Sequence, residues 1–574
     1  MSSPTWRIHP AIGIARVGDA EDFYLGPEAA GGLPLEPDGR PIDAHGFRAA
    51  DGRVRRQAAR FRVYRYDEAC PEGRPVDLDD PDVAAIEWTV HVANKKASWY
   101  AFQTNAGQYG YLPDHPLRNA TITGEERHRL VIDPGPRTVS GRGAAAPLSR
   151  ATVPEGYPGG FPGPLEPYDI DTLGEARTDG AGNLLVLGGY GRSGTFVLPA
   201  RITEYANNDG WFDDTSDGRV AARLHLRDGS VIEDVDGAWV LVGPPAYAPQ
   251  IENLVTLYDT MRDTFVRSFG TEPEVFHASM WQDDYEPSFE DDILPILERA
   301  GRYRWVVAIP PRPHRLPIDK LADPDPQYNP LRQFYVDVLR SPSQPNPLVN
   351  DAGQVAMPYL AGDNMLNPDY LTSNFLTVSP TQYFMLRQWA SGRFVRSRPS
   401  RLGPGERLDR AVLENCVGGA FSPGIEMTWI CRLPELYAAP FRLKARPMLP
   451  GARLSLGLDL AAGVEPGDVT KLMATPWQAD FNECAAQPWG EERYVWWWPA
   501  QRPIWVRPEH APHEQRTWVG TAEDQNAPDF TMFADDLDMV SRWKRLGFVV
   551  GVPGPDGEEV FVEVQRQAPY APGS

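Results

Sequence analysis

The chain has 574 residues, too many for one simple core at ~100 to 200 residues per domain, and its 42% of apolar residues is enough for a packed interior. A formal net charge of -22 repels phosphate backbones and anionic lipid, which argues against nucleic acid and membrane as partners and leaves room for a cationic or zwitterionic small substrate. The four cysteines, Cys70, Cys416, Cys431 and Cys484, have no CxxC spacing, so neither a disulfide framework nor the usual structural zinc site is expected.

The opening stretch MSSPTWRIHPAIGIARVG lacks the charged start, apolar core and cleavage site of a secretory signal, and no later run is long and apolar enough to span a bilayer. Cytoplasmic folding is the default expectation, with non-classical secretion left open. Residues 1–250 read as strands: WRIHPAIGIARVG, AARFRVYRY, AAIEWTVHVAN, NLLVLGGYG and GAWVLVGP are separated by Gly, Pro and Asp clusters. In 251–345 the period changes. Leu254, Tyr258, Met261 and Phe265 fall on one helical face, and Ser288 with Asp291 reads as a capping box ahead of a second helix disturbed by Pro295. The proline-rich passage from about 308 to 350 reads as a linker or surface excursion. In 346–574, Ser379, Pro380 and Gln382 open a helix that Gly392 stops, LDRAVLENC forms another ending at Gly418 and Gly419, and residues 535–547 form the last. The expected fold class is α+β, mainly β: a loop-rich, β-dominated architecture with several packed helices in the central and C-terminal parts.

Two motifs invite familiar readings that their surroundings do not support. GYGRSG (189–194) has the GxGxxG spacing of a dinucleotide loop, but the β-branched, proline-interrupted TFVLPARIT that follows is a poor helix, so a hairpin turn is expected. NNDGWFDDTSDG (207–218) has calcium-loop spacing, yet the twelfth position is Leu224 instead of Glu, so an acidic turn is expected. His510 and His513 are separated by Pro512, which prevents helical metal-ligand spacing and favours a solvated loop.

Cys416 stands at the end of an expected helix, immediately before a valine and two glycines. A buried free cysteine ordinarily acts as a small hydrophobe, and Trp477 taken alone reads as ordinary core. Several phrases, however, together resemble the LodA-like quinoproteins: IHPAIGIARVG, RQAARFRVYRYD, WTVHVANKKASWY, LGEARTDGAGNLLVLGGYGRSG, NNDGWFDDTSDG, WVLVGPPAYAPQIENLVTLYD, PSFEDDILPIL, CVGGAFSPGIEMTW and TKLMATPWQADFNEC. The resemblance spans nearly the whole chain. It implies a cysteine tryptophylquinone cofactor made from Cys416 and Trp477, and oxidative deamination of a primary amine or amino acid by O2 with release of ammonia and hydrogen peroxide. It also implies an FAD-dependent flavoprotein partner that completes the cofactor; a homo-oligomeric state is left open.

Amine oxidation of this kind needs a base near the substrate carbon. Asp480, three residues after Trp477, is the candidate. Asp409, seven before Cys416 and on the same helical face, is a candidate carboxylate for cofactor formation. Glu414 and the acidic stretch around Asp283 and Asp284 are further candidates for these roles. The family's acidic residue one turn before the cysteine is replaced here by Val412. That departure keeps two alternatives open: a cofactor-less member acting as a binding or assembly protein, and quinone-dependent oxidation of a peptide-tethered substrate.

Overall fold

The computed structural model describes residues 4–567 except 104–110, 112–113, 308–315, 343–355, 363–374, 419–420, 422, 449–450, 484–485, 489–493, 497, 519–535 and 556. Its centre is a 14-stranded mixed sheet. The main path runs through the strands Arg137–Ser140, Val83–Ala93, Ser216–Leu226, Ala238–Gly243, Ile12–Arg16, Arg56–Asp67, Leu184–Leu187, Thr172–Thr178 and Ala145–Ser149. The two end strands also contact each other, so the sheet nearly closes. Strands such as Ile12–Arg16 and Ala238–Gly243, which pair in parallel, are buried along their whole length and read as continuous apolar runs. Longer ones, such as Ser216–Leu226, alternate buried and exposed positions in their second half.

The mainly β, α+β expectation holds. The helices Leu257–Ser268 and Pro404–Glu414 pack against the sheet, and Leu294–Arg302 and Pro380–Ala390 pack with neighbouring helices in a cluster of their own. In Pro380–Ala390 the expected box is complete, with Ser379 and Gln382 capping each other's backbone N–H groups. The helix expected to run through Cys416 to Gly418 and Gly419 ends at Glu414, with Asn415 as its C-cap, and Gly419 lies outside the described residues. Three further helical readings change. Leu254 precedes its helix, because Thr256 and Asp259 form a capping box that starts it later. Ser288 Oγ does accept from Asp291 N–H, but Ser288 N–H donates to Asp292 Oδ2, at 2.9 Å. Between that cap and Pro295 the chain makes a π turn, Phe289–Ile293, because a proline within the first turn cannot supply a regular backbone donor. The passage expected as a linker contains the helices Ile318–Leu321 and Asn329–Asp337, the second opened by a first-turn proline.

No helix among the described residues is long and apolar enough to cross a membrane. Within the same residues no cluster of His, Cys, Asp and Glu could hold a metal ion. His510 and His513 are exposed in a turn, as expected.

Candidate active site

Cys416 and Trp477 are brought into the interior by two separate arms. The cysteine arm is the helix Pro404–Glu414, whose C-cap Asn415 hands the chain to Cys416. Asp409, buried within this helix, accepts hydrogen bonds from Ala11 N–H at 2.6 Å and from His9 Nδ1 at 2.9 Å, so it ties the helix to the first two strands. The Cys416 carbonyl accepts from Leu257 N–H, and Val417 N–H donates to Glu426 Oε2 at 3.1 Å. Glu426 Oε1 in turn accepts from Arg16 Nη2 at 2.6 Å, in a pair whose side chains are 1% and 3% exposed. The sulfhydryl is buried and donates to Val412 O at 3.3 Å. Burial first, and then the negative charge of Glu426, push the Cys416 thiol well above its ordinary range, against the opposing pull of Arg16.

The tryptophan arm is the segment 465–483, ending in the helix Trp477–Glu483. Its socket is built from the two motifs that resembled nucleotide and calcium loops. Asp213 Oδ2 accepts from Trp477 N–H at 2.9 Å and from Lys96 Nζ at 2.9 Å, while Asp213 Oδ1 accepts from Asn94 Nδ2 and Thr215 Oγ1. Asp217 Oδ1 accepts from Thr470 N–H and Thr470 Oγ1 at 2.8 and 2.6 Å. From the GYGRSG turn, Ser193 Oγ donates to Gln478 Oε1 at 2.6 Å, and Gly191 O accepts from Gln478 Nε2 and from Trp543 Nε1. Gly191 has φ +71, and a Cβ there would fall 2.2 Å from the Trp543 ring, so only glycine fits. The 193–195 strand pairs with 211–213, which explains why the turn opens no helix.

NNDGWFDDTSDG is therefore no solvated acidic turn: Asp213, Asp214 and Asp217 are all at most 1% exposed. Burial raises Asp214 to about 7 and Asp217 to about 6.

Trp477 is buried, its ring edge-to-face with Phe481 and Trp543 at 5.6 and 5.7 Å, and its indole N–H has no hydrogen-bond partner among the described residues. Asp480 lies one turn further along the same helix, 9% exposed. The Cys416 and Trp477 side chains belong to different apolar clusters. Cys416 packs with Leu413, Met427 and Leu472, whereas Val417, the next residue, shares the cluster of Trp477, Phe421 and Phe481. Val412 lies partly buried against the cysteine's cluster. Glu414 pairs with Arg410 at 2.8 Å and is raised by burial against the pull of its arginines. Asp283 and Asp284 are exposed. Asp213, Lys96, Ser193, Arg16 and Glu426 went unassigned in the sequence, because a run of acids beside turn residues looks like solvated surface until its partners from distant strands are known.

The chain fits the family model of the L-lysine epsilon oxidase N-terminal domain over residues 9–242 and that of the C-terminal domain over residues 358–499. The chain belongs to the LodA-like L-lysine epsilon-oxidase family. It is 36% identical over 529 residues to the L-lysine 6-oxidase of Marinomonas mediterranea, covering 84% of this chain and 71% of that protein. The crystal structure of the L-Lys epsilon-oxidase from Marinomonas mediterranea superposes with a TM-score of 0.83 at 30% identity, over 98% of this chain and 95% of that one. The crystal structure of that enzyme's Schiff base intermediate with L-Lys gives 0.83 at 31% identity, again over 98% and 95%.

Proposed function

We propose that this protein is an oxidase of primary amines or amino acids that uses cysteine tryptophylquinone formed from Cys416 and Trp477. The reaction takes an amine, O2 and water to a carbonyl product, ammonia and hydrogen peroxide. A quinone on Trp477 joined to the Cys416 sulfur supplies the electrophilic carbonyl and the two-electron sink that no unmodified side chain offers. The observation that carries the reading is the socket of Trp477. Asp213 fixes the start of the helix, Gln478 locks its second residue to the 189–194 turn, and the indole N–H is left without a partner in a buried site. That much structure around one tryptophan suits a residue that must be presented for modification.

The chain's own residues supply the rest. Asp480, one turn from Trp477, takes the proton from the substrate carbon. Glu426 is the carboxylate whose charge acts on the Cys416 thiol, and it stands as the acceptor of the sulfur's proton during cross-linking in place of an acid at position 412. Asp409 is committed to His9 and Ala11 and contributes to placing the cysteine helix. Cross-linking requires the Cys416 sulfur to leave the Val412 carbonyl and turn toward the cluster that Val417 already joins. Completion of the quinone is assigned to a flavoprotein oxidant acting on this chain.

A second reading, a protein that keeps the fold without the quinone, is favoured by Val412 and by the separate packing of Cys416 and Trp477. Mass spectrometry of tryptic peptides from protein purified from its native host decides between them. A single species containing both residues, with two added oxygens, is the expected result, together with peroxide release from a primary amine. Separate unmodified peptides establish the quinone-free alternative.

A further inference from the structure

Leu408, Val412 and Cys416 recur every four residues, a stripe that runs along the helix Pro404–Glu414 and just past its end, and all three line one narrow crevice of about 30 Å³. The Cys416 sulfhydryl donates to Val412 O, so both partners of that bond belong to wall residues. The facing wall comes from two strands: Gly13, Ile14 and Arg16 from Ile12–Arg16, and Gln57, Ala58 and Ala59 from Arg56–Asp67. One water needs about 10–15 Å³, so the crevice admits water-sized molecules and excludes an amine substrate.

Charge filters entry as well as size. At the partly exposed outer end one acid, Glu28, is shared by Arg60 at 2.7 Å and Arg62 at 3.0 Å, an excess of positive charge that repels an ammonium ion. The wall between the ends is small and apolar, with Gly26, Ala58, Ala59 and Ala246, and a neutral diatomic gas passes it at far less cost than an ion. Arg16 and Cys416 mark the buried inner end, and Arg16 donates to Pro244 O at 2.9 Å and to Glu426 Oε1 at 2.6 Å. Burial opposes the Arg16 charge, but neighbouring acids, Glu426 foremost, outweigh it, so the guanidinium is held above its ordinary value. Glu426 also accepts from Val417 N–H and Gln501 Nε2, so its own charge is not met by Arg16 alone. The turn of the sulfur toward Trp477 that cross-linking requires vacates this inner end.

We propose that this crevice is the dioxygen site of the oxidase: O2 enters beside the Glu28–Arg60 pair, meets the cofactor on its cysteine side, and leaves as hydrogen peroxide. The inference rests on the oxidase reading and separates the route of O2 from that of the amine. O2 takes two electrons from the reduced cofactor together with two protons; the cofactor is reoxidised and hydrogen peroxide forms. The first electron turns a neutral gas into an anion, and a fixed positive charge beside the crevice lowers the cost of that step. Arg16 supplies that charge.

Two measurements on the full-length protein test the site, and the first needs no cofactor. Dissolved O2 is paramagnetic, and under raised pressure it is expected to broaden the methyl NMR signals of Ala58 and Ala59 several-fold more than those of Ala93 and Ala176, which are equally buried but away from the crevice. The second follows variants of the mature oxidase with L-lysine or glycine as the amine, with quinone content measured in each sample. Ala246→Val narrows the crevice. Gly26→Ala narrows it more gently, because its Cβ would come nearest to the flexible Gln57 amide, 3.1 Å away. Each is expected to lower kcat/KM for O2 several-fold, with little loss in the rate at which the amine reduces the cofactor without air. Equal broadening at all four methyls overturns the proposal, as do unchanged O2 kinetics in both variants or a Gly26→Ala loss that falls equally on both half-reactions. If no amine yields peroxide, the oxidase reading fails and takes the catalytic role of the crevice with it, whereas selective broadening still establishes that O2 enters there.

Discussion

The two arms of the site are fastened by different chemistry. The cysteine arm depends on long-range side-chain ties, Arg16 to Glu426 and His9 to Asp409, that join residues about 400 positions apart. The tryptophan arm is held largely through the main chain, with Asp213 and Asp217 accepting from Trp477 N–H and Thr470 N–H; Lys96 fills a further acceptor of Asp213, and the Trp239 indole N–H one of Asp217. The first arrangement rests Glu426 chiefly on one buried arginine. The second also contains buried ion pairs, Lys96–Asp213 and Lys95 and Lys471 with Asp468, but Asp213 shares its lysine with several neutral donors, so losing that lysine leaves more of its acceptors filled.

The largest effect should come from breaking the Arg16–Glu426 pair. Arg16→Met leaves Glu426 buried with only Val417 N–H and Gln501 as described donors, and is expected to cost about 3–5 kcal/mol in denaturant unfolding. Lys96→Met leaves Asp213 with Trp477 N–H, Asn94 and Thr215, and should cost only about 2 kcal/mol. Equal losses would erase the distinction between the arms. Adding Glu426→Gln to Arg16→Met should recover much of the loss, since no uncompensated charge then remains.

A second experiment asks whether the tryptophan arm carries chemistry as well as position. Asp480→Asn keeps the shape and removes the basicity, and is expected to lower turnover by ~10²-fold, or about 2.7 kcal/mol, with quinone content measured in the same sample. Full quinone with unchanged turnover would make Asp480 a structural carboxylate. Loss of quinone would move its role to cofactor formation.

The smallest effect distinguishes the arms by pH. Asp214 and Asp217 hold protons up to about 7 and 6 in the folded chain, against an ordinary value of 3.8. The folded state therefore binds more protons than the unfolded one across that interval, and stability falls as pH rises through it. A Tm lower by roughly a few degrees at pH 8 than at pH 5 is expected, and Asp214→Asn should flatten the slope. Glu414 on the cysteine arm is raised too, so a slope unaffected by Asp214→Asn would assign the dependence to that side.

Strand-forming phrases were legible because alternation and β-branched runs are local properties, and the Ser379–Gln382 cap was legible because its partners are three residues apart. Cys416 and Trp477 were picked out by their phrases, since nothing in their composition separates them from core residues. Reading along the chain was enough for the mainly β class, the helix at 380–390 and the family to which the chain belongs. It took folding in three dimensions to make GYGRSG and NNDGWFDDTSDG the socket of Trp477 and to bring the charge of Glu426 within reach of the Cys416 thiol. The reason is physical. Whether an aspartate is a solvated turn or a buried acceptor depends on donors hundreds of residues away, and no window along the chain contains both.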